Sequence, residues 1–286
     1  MYSIIKNEEI KKNIYYMEVS APLVVNKCMP GQFVIVMANE DSERIPLTIC
    51  DYNKEDGILS LVYQIVGEGT LELSKMNESL YSVVGPLGNK SELLDKIDEL
   101  KDKNIIFVAG GIGIAPVYPQ VKYLYERGIK TKVIYGAKSK DAVIFEDKIK
   151  EYCDLTITTD DGSYGLSGFV TDALKMEEKY DICVAIGPVK MMQAVSNLTR
   201  DLDVYQIVSM NPIMVDGTGM CGACRLNVGG EVKFACVDGP EFDGHKIDFD
   251  NAIKRMNMYK TIEGRKYLEA LEGDTHHGGC GNCGDE

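Results

Sequence analysis

The sequence predicts a multidomain chain of α+β and α/β class: an antiparallel β-barrel, then a Rossmann-like parallel sheet with helices on both faces, then a small C-terminal module built on cysteines. Three observations carry this reading. Short β-rich runs separated by turn residues fill residues 1 to about 90, strand alternates with helix from about 103 to 208, and cysteines gather after position 216. At 286 residues the chain has room for two domains and a small third.

In the first region Gln32-Phe-Val-Ile-Val-Met, Leu47-Thr-Ile-Cys, Leu59-Ser-Leu-Val-Tyr-Gln-Ile-Val and Leu80-Tyr-Ser-Val-Val read as strands. Their length and spacing suit a small antiparallel barrel. Leu93, Leu94, Ile97 and Leu100 recur at helical spacing and predict a short amphipathic helix leading out of it. Residues 1–100 are assigned to the barrel. Two segments within it stand out, Arg44-Ile-Pro-Leu-Thr-Ile49 and Gly67-Glu-Gly-Thr70. A threonine hydroxyl at a strand end can hydrogen-bond a flavin ring, and bare glycines admit a diphosphate. Singly, each segment also reads as a plain turn.

Residues 101–208 form the second domain. Asn104-Ile-Ile-Phe-Val-Ala is a buried-type strand, and strands recur at Lys132, Leu155 and Ile182 with helical stretches between. Such alternation implies a parallel sheet. Gly110-Gly-Ile-Gly-Ile-Ala-Pro116 follows the first strand and opens a helix. Glycines there let the backbone approach a pyrophosphate, and Pro116 fits the first helical turn. The competing reading is a tight strand–helix connection. Gly187-Pro188 and Asp160-Asp-Gly-Ser163 each follow a strand, where ligands of doubly wound sheets bind.

Residues 209–265 make the third module. Asp216-Gly-Thr-Gly-Met-Cys221-Gly-Ala-Cys224, with Cys236 beyond, follows the C-x4-C-x2-C…C spacing of a plant-type [2Fe–2S] cluster, with aspartate at the first position. A carboxylate is anionic like a thiolate, so Asp216, Cys221, Cys224 and Cys236 can close a four-point cage. A structural zinc site is the alternative, but such sites usually pair two short Cys or His doublets. An Asp216 ligand is expected to make the cluster potential depend on pH. A potential constant across the carboxylate range would sink that idea.

Composition narrows the rest. A formal charge of −13 argues against nucleic acid and anionic membranes, and no apolar run is long enough to span a bilayer. The N-terminal stretch has no apolar h-region, so no secretory signal is expected. Nine cysteines, clustered late, suit metal-bound thiolates in a reducing compartment, with the cytoplasm expected. Cys28, Cys50, Cys153 and Cys183 read as ordinary buried or semi-buried residues, and Lys138-Ser139 could read a 2′-phosphate or be ordinary surface residues. His276, His277, Cys280 and Cys283 sit in the 266–286 tail. They could bind metal or act as a redox pair; a loose tail is the favoured reading.

Together the R-x-P-L-T and G-x-G-T segments, the glycine turn, the strand ending in Gly-Pro and the cluster motif resemble the ferredoxin–NADP reductase superfamily, to about residue 250. Within it the chain is similar to the electron-transfer subunit of dihydroorotate dehydrogenase and to the small subunit of NADH-dependent ferredoxin:NADP oxidoreductase. The resemblance implies FAD, [2Fe–2S] and NAD(H). It implies Arg44, Pro46, Leu47 and Thr48 at the flavin, with Thr48 at the reacting ring. Tyr63, Gln64 and Ile65 would flank it, and Gly69 and Thr70 would hold its diphosphate. Gly110, Gly111, Gly113, Pro116, Gly187 and Pro188 would lie against the nicotinamide nucleotide. Arg44 stands four residues before Thr48, where the superfamily pattern has three, and Ile186 replaces the cysteine many members carry before Gly-Pro. Asp216 favours the ferredoxin:NADP oxidoreductase branch. That branch implies a large flavin and [4Fe–4S] partner that binds NADP(H) and serves ferredoxin, in a heterodimer. The dihydroorotate dehydrogenase subunit is the alternative, and a relay module without nucleotide turnover a more distant one.

Overall fold

The computed structural model describes residues 1–272. Seven strands build the first unit: β1 (Tyr2–Lys11), β2 (Ile14–Ser20), β3 (Phe33–Met37), β4 (Ile45–Asn53), β5 (Ile58–Gln64), β6 (Ser79–Leu80) and β7 (Ser82–Leu87). Short helices α1 (Pro22–Val25) and α2 (Glu68–Ser74) interrupt them. Their order is β6-β1-β2-β5-β4-β3-β7, all antiparallel. Only Tyr81 separates β6 from β7, so the two ends of that order meet and the sheet closes into the expected barrel. Tyr81 donates its N–H to the Met37 and Ala38 carbonyls at 3.1 Å. Inside, Met17, Val19, Val34, Val36, Ile49, Leu59 and Leu61 form a buried core. β1 was not legible as a strand, because its run of charged residues leaves it without one fully buried position.

The helix expected over Leu93–Leu100 is broken. Glu92–Asp95 makes a 3-10 turn and α3 (Ile97–Leu100) a single α turn, because Lys96 between them leaves helical geometry at φ −111°, ψ 21°. Leu93, Leu94 and Leu100 are buried all the same.

The second unit alternates β8 (Ile105–Gly110), α4 (Ile114–Tyr125), β9 (Thr131–Ala137), α5 (Glu146–Ile149), β10 (Asp154–Thr159), β11 (Leu166–Ser167), α6 (Val170–Lys175), β12 (Ile182–Ile186), α7 (Val189–Thr199) and β13 (Tyr205–Ser209). These strands run parallel in the order β11-β10-β9-β8-β12-β13. The order grows outward from β8 on one side and resumes with β12 on the other. The switch point therefore lies between β8 and β12, where ligands of such sheets bind.

The remaining elements are the hairpin β14 (Arg225–Val228) and β15 (Glu231–Phe234), then β16 (Glu241–Asp243), α8 (Phe249–Met256) and α9 (Lys260–Glu272). β16 pairs antiparallel with β13, which makes the cysteine segment an annex of the parallel sheet. Asp248 caps α8 by accepting the Asn251 N–H at 3.0 Å. One buried cluster joins Phe33 and Ile35 of the barrel, Val108 and Val208 of the sheet, and Cys224 and Cys236. Among the described residues no helix is long and apolar enough to cross a membrane. His276, His277, Cys280 and Cys283 lie outside the described residues.

Candidate functional site

The barrel opens a wedge. The β4–β5 ladder runs only from Asn53↔Ile58 to Ile49↔Leu61, so Ile45–Thr48 and Val62–Gln64 do not pair with each other. Pairing with β3 places Thr48 opposite Phe33 and Pro46 opposite Ile35, on the outward face. Strand alternation turns Leu47 the other way, into the barrel core at 8% exposure. Among the described residues half-buried Thr48 takes part in no side-chain hydrogen bond, so its hydroxyl stays available. Tyr63 also points inward, 1% exposed, with its hydroxyl donating to Asn7 Oδ1 at 2.8 Å. The side chains of Leu47 and Tyr63 belong to the barrel core, so only their backbone faces the opening between β4 and β5. On β5 the outward positions are Val62, in the core shared with the second unit, and Gln64, which is exposed. The Leu59-Ser-Leu-Val-Tyr-Gln alternation would have identified Val62.

Beyond β5, half-buried Ile65 donates its N–H to the Asn13 carbonyl at 2.8 Å. Thr70 closes the first turn of α2. Its Oγ1 accepts the Val66 and Gly67 N–H groups at 2.9 and 3.2 Å. Gly69 is buried under the Glu43 side chain, which a Cβ there would strike. Arg44 does not reach toward this turn. Its Nε donates to the Val215 carbonyl at 2.6 Å and its Nη2 to the Asp216 carbonyl at 3.2 Å, so the structure places its guanidinium on the cysteine loop.

At the switch point two glycine turns meet. Gly111 takes φ +55°, a left-handed value that costs glycine little. A Cβ on Gly113 would collide with the Ile186 carbonyl, and one on Gly110 would lie 2.9 Å from Pro188 Cδ. Gly110, Gly113, Gly187 and Pro188 are thus brought together, and Pro116 sits in the first turn of α4. The turn Gly111–Gly113 lies against β5, so the barrel wedge faces the switch point. Met191, which the sequence did not flag, packs on Gly110. Ile186 is buried and ends β12 without a thiol. At the end of β10, Asp161 accepts the Ser163 N–H at 2.9 Å and its hydroxyl at 2.6 Å, which holds its carboxyl below the usual range. Asp160 is exposed beside it, with Lys138 on the adjoining loop.

In the cysteine loop two of the four candidate ligands touch. Cys224 and Cys236 are buried with their sulfurs 3.2 Å apart, whereas Cys221 is exposed. Burial, then the Cys224 contact, pushes the Cys236 thiol up to about 12. Asp216 bends back on its own loop: Oδ1 accepts the Thr218 N–H and hydroxyl, and Oδ2 the Cys221 N–H at 2.8 Å. The Thr218 backbone bond leads in holding this carboxyl down to about 2. Among the described residues no three such side chains converge on one point. The donor set still fits a cluster, since two thiols already meet and Asp216 is linked to Cys221 through its N–H. Gly217 at φ +80° seats the loop on the barrel, where a Cβ would come 2.7 Å from Ile35 and Leu87. Cys50, Cys153 and Cys183 are held protonated by burial, Cys153 and Cys183 up to about 12.

Comparison with known proteins agrees with this layout. Residues 211–248 match the iron–sulfur cluster binding domain of dihydroorotate dehydrogenase B, and residues 107–197 the oxidoreductase NAD-binding domain. A Clostridium beijerinckii protein described only by its place in the adh 3′ region is 52% identical over the whole of both chains. A Thermotoga maritima homolog of the dihydroorotate dehydrogenase B (NAD+) electron transfer subunit is 44% identical, over 94% of this chain and 95% of its own. A solved structure reported as giving insights into flavin-based electron bifurcation, via the NADH-dependent reduced ferredoxin-NADP oxidoreductase, superposes with a TM-score of 0.87 at 43% identity, covering 95% of this chain and 98% of that one. The chain is therefore an oxidoreductase subunit that belongs to the family of dihydroorotate dehydrogenase B electron transfer subunits and their homologues.

Proposed function

We propose that this chain is the FAD- and [2Fe–2S]-containing, NAD(H)-reacting subunit of an electron-bifurcating NADH-dependent ferredoxin:NADP+ oxidoreductase. In this reading single electrons from a partner subunit pass through the cluster to FAD and leave as hydride to NAD+, reversibly. The observation that carries it is the end-to-end likeness to the NADH-dependent reduced ferredoxin-NADP oxidoreductase chain, at a TM-score of 0.87. Asp216 at the first ligand position points the same way.

The residues present suit these groups. The unpaired edges of β4 and β5, with the free Thr48 hydroxyl and Pro46 and Gln64 facing outward, suit a planar flavin ring. Gly110, Gly111, Gly113, Gly187 and Pro188 would hold the nicotinamide nucleotide, and Asp216, Cys221, Cys224 and Cys236 the cluster. A flavin supplies the conversion between one-electron and two-electron chemistry. The chain's own work is to orient Thr48, exclude water from the switch point and hold the modules together. The partner would carry flavin and [4Fe–4S] centres, bind NADP(H) and serve ferredoxin, in a cytoplasmic heterodimer or larger assembly.

The test is anaerobic purification with whatever co-purifies, then NADPH oxidation assayed with NAD+ and ferredoxin, singly and together. Oxidation that needs both acceptors supports the proposal. A second reading, electron-transfer subunit of a dihydroorotate dehydrogenase B, is favoured by the Thermotoga relative and by the family domain at 211–248. NADH-linked dihydroorotate turnover by the co-purified complex would select it.

A further inference from the structure

Arg44 stands just before β4, two residues ahead of Pro46 and four ahead of Thr48. Its guanidinium is spent on backbone carbonyls of the cysteine loop, Val215 through Nε at 2.6 Å and Asp216 through Nη2 at 3.2 Å. Its Nη1 rests on Met37 Sδ at 3.8 Å, which orients the plane. Among the described residues it forms no salt bridge. The Asp216 carboxylate is engaged separately, by Thr218 and Cys221.

Two further contacts hold the same loop to the barrel. Gly217 packs on Ile35 and Leu87 with no room for a side chain. On the far arm, Asn89 donates its N–H to the Gly239 carbonyl at 2.6 Å and its Nδ2 to the Val237 carbonyl at 3.1 Å. The barrel thus grips the cysteine segment on both sides of the ligand set, before Cys221 and after Cys236.

We propose that Arg44 is a positioning residue for the iron–sulfur centre: its planar fork fixes the Val215–Asp216 backbone against the strand that bears Pro46 and Thr48, and its positive charge beside the loop biases the centre toward its reduced form. A guanidinium presents its donors in one rigid plane, so two carbonyls bound at once fix the orientation of the loop, which a lysine cannot do. Reduction adds negative charge, and a nearby cation makes that addition easier. The inference rests on the cluster assignment made above.

The experiment compares the anaerobically purified full chain, with its partner, as wild type, Arg44→Lys and Arg44→Met. The readouts are the electron paramagnetic resonance spectrum of the dithionite-reduced centre, its midpoint potential and the FAD content. The expected result is a more negative midpoint and altered g-values in Arg44→Met. Arg44→Lys should recover the midpoint but not the g-values, and FAD should be retained in both. Loss of FAD from both variants, with the wild-type spectrum and potential unchanged, would overturn the proposal and return Arg44 to the flavin. A wild-type chain without any [2Fe–2S] signal would overturn the cluster assignment itself, a failure visible before any variant is made.

Discussion

A Cβ on Gly187 would lie 2.9 Å from the backbone nitrogen of Gly110 and 3.0 Å from its Cα and carbonyl oxygen. Two strand ends far apart in sequence are therefore in backbone contact, and neither loop can accept a side chain there without moving. Gly187→Ala should cost about 1–3 kcal/mol, the usual range for overpacking, and, with the nucleotide held as proposed, should weaken NADH binding because it pushes the two turns apart. Gly264→Ala is the control. It lies in α9 with nothing within 4 Å of the new methyl, and should gain up to about 1 kcal/mol from helix propensity. Thermal unfolding and NADH titration of both variants check this.

The inward orientation of Tyr63 gives a second test. Tyr63→Phe removes the donor to Asn7 Oδ1, while Asn7 Nδ2 keeps its bonds to the Leu73 and Met76 carbonyls. The expected loss is about 1–3 kcal/mol of stability with FAD content intact. Loss of FAD at unchanged stability would put the ring back in the cofactor site.

Glu241 predicts a pH dependence. Its Oε2 is sealed from solvent without a partner, while Oε1 accepts from Gln120 Nε2 at 3.0 Å. Burial pushes its carboxyl up to about 7, opposed by Ser91, Gln120 and the Glu92 backbone. The folded chain therefore holds a proton that the unfolded chain releases near the ordinary carboxylate value of 4.5. Stability from this group is complete below 4.5 and is lost as pH rises through about 7. The loss is up to about 3 kcal/mol. Melting curves between these limits should show it, and Glu241→Gln should flatten the slope.

If the nucleotide's ribose reaches the end of β10, cofactor choice should be sensitive to the carboxylates there. Asp160 is exposed and Asp161 is held as a carboxylate by Ser163, so the pair repels a 2′-phosphate and suits a ribose hydroxyl. The wild type should prefer NADH. Asp160→Ala should raise the ratio of kcat/KM for NADPH over NADH about tenfold, or ~1.4 kcal/mol. A wild type that already prefers NADPH would reject this reading and give Lys138 the larger part.

For the cysteine loop, Cys236→Ser should abolish iron binding, whereas Asp216→Cys should retain iron with altered g-values. Iron analysis and electron paramagnetic resonance separate the two.

Periodicity and motif spacing alone gave the barrel, the parallel sheet and the cysteine loop. Each rests on local chemistry: alternating apolar residues make strands, glycines make tight turns, and cysteine spacing marks a ligand loop. What tertiary structure alone decided is which way each residue faces and what it meets. Leu47 and Tyr63 turn into the barrel because a pleated strand alternates around Thr48 and Val62, so neighbours in a motif fall on opposite faces. Arg44 meets Val215 and Asp216 across 171 and 172 positions of sequence, a pairing no local pattern encodes. β16 leaves the cysteine module to edge the parallel sheet, and Gly110 finds Gly187, because long-range packing sets which strand ends come together.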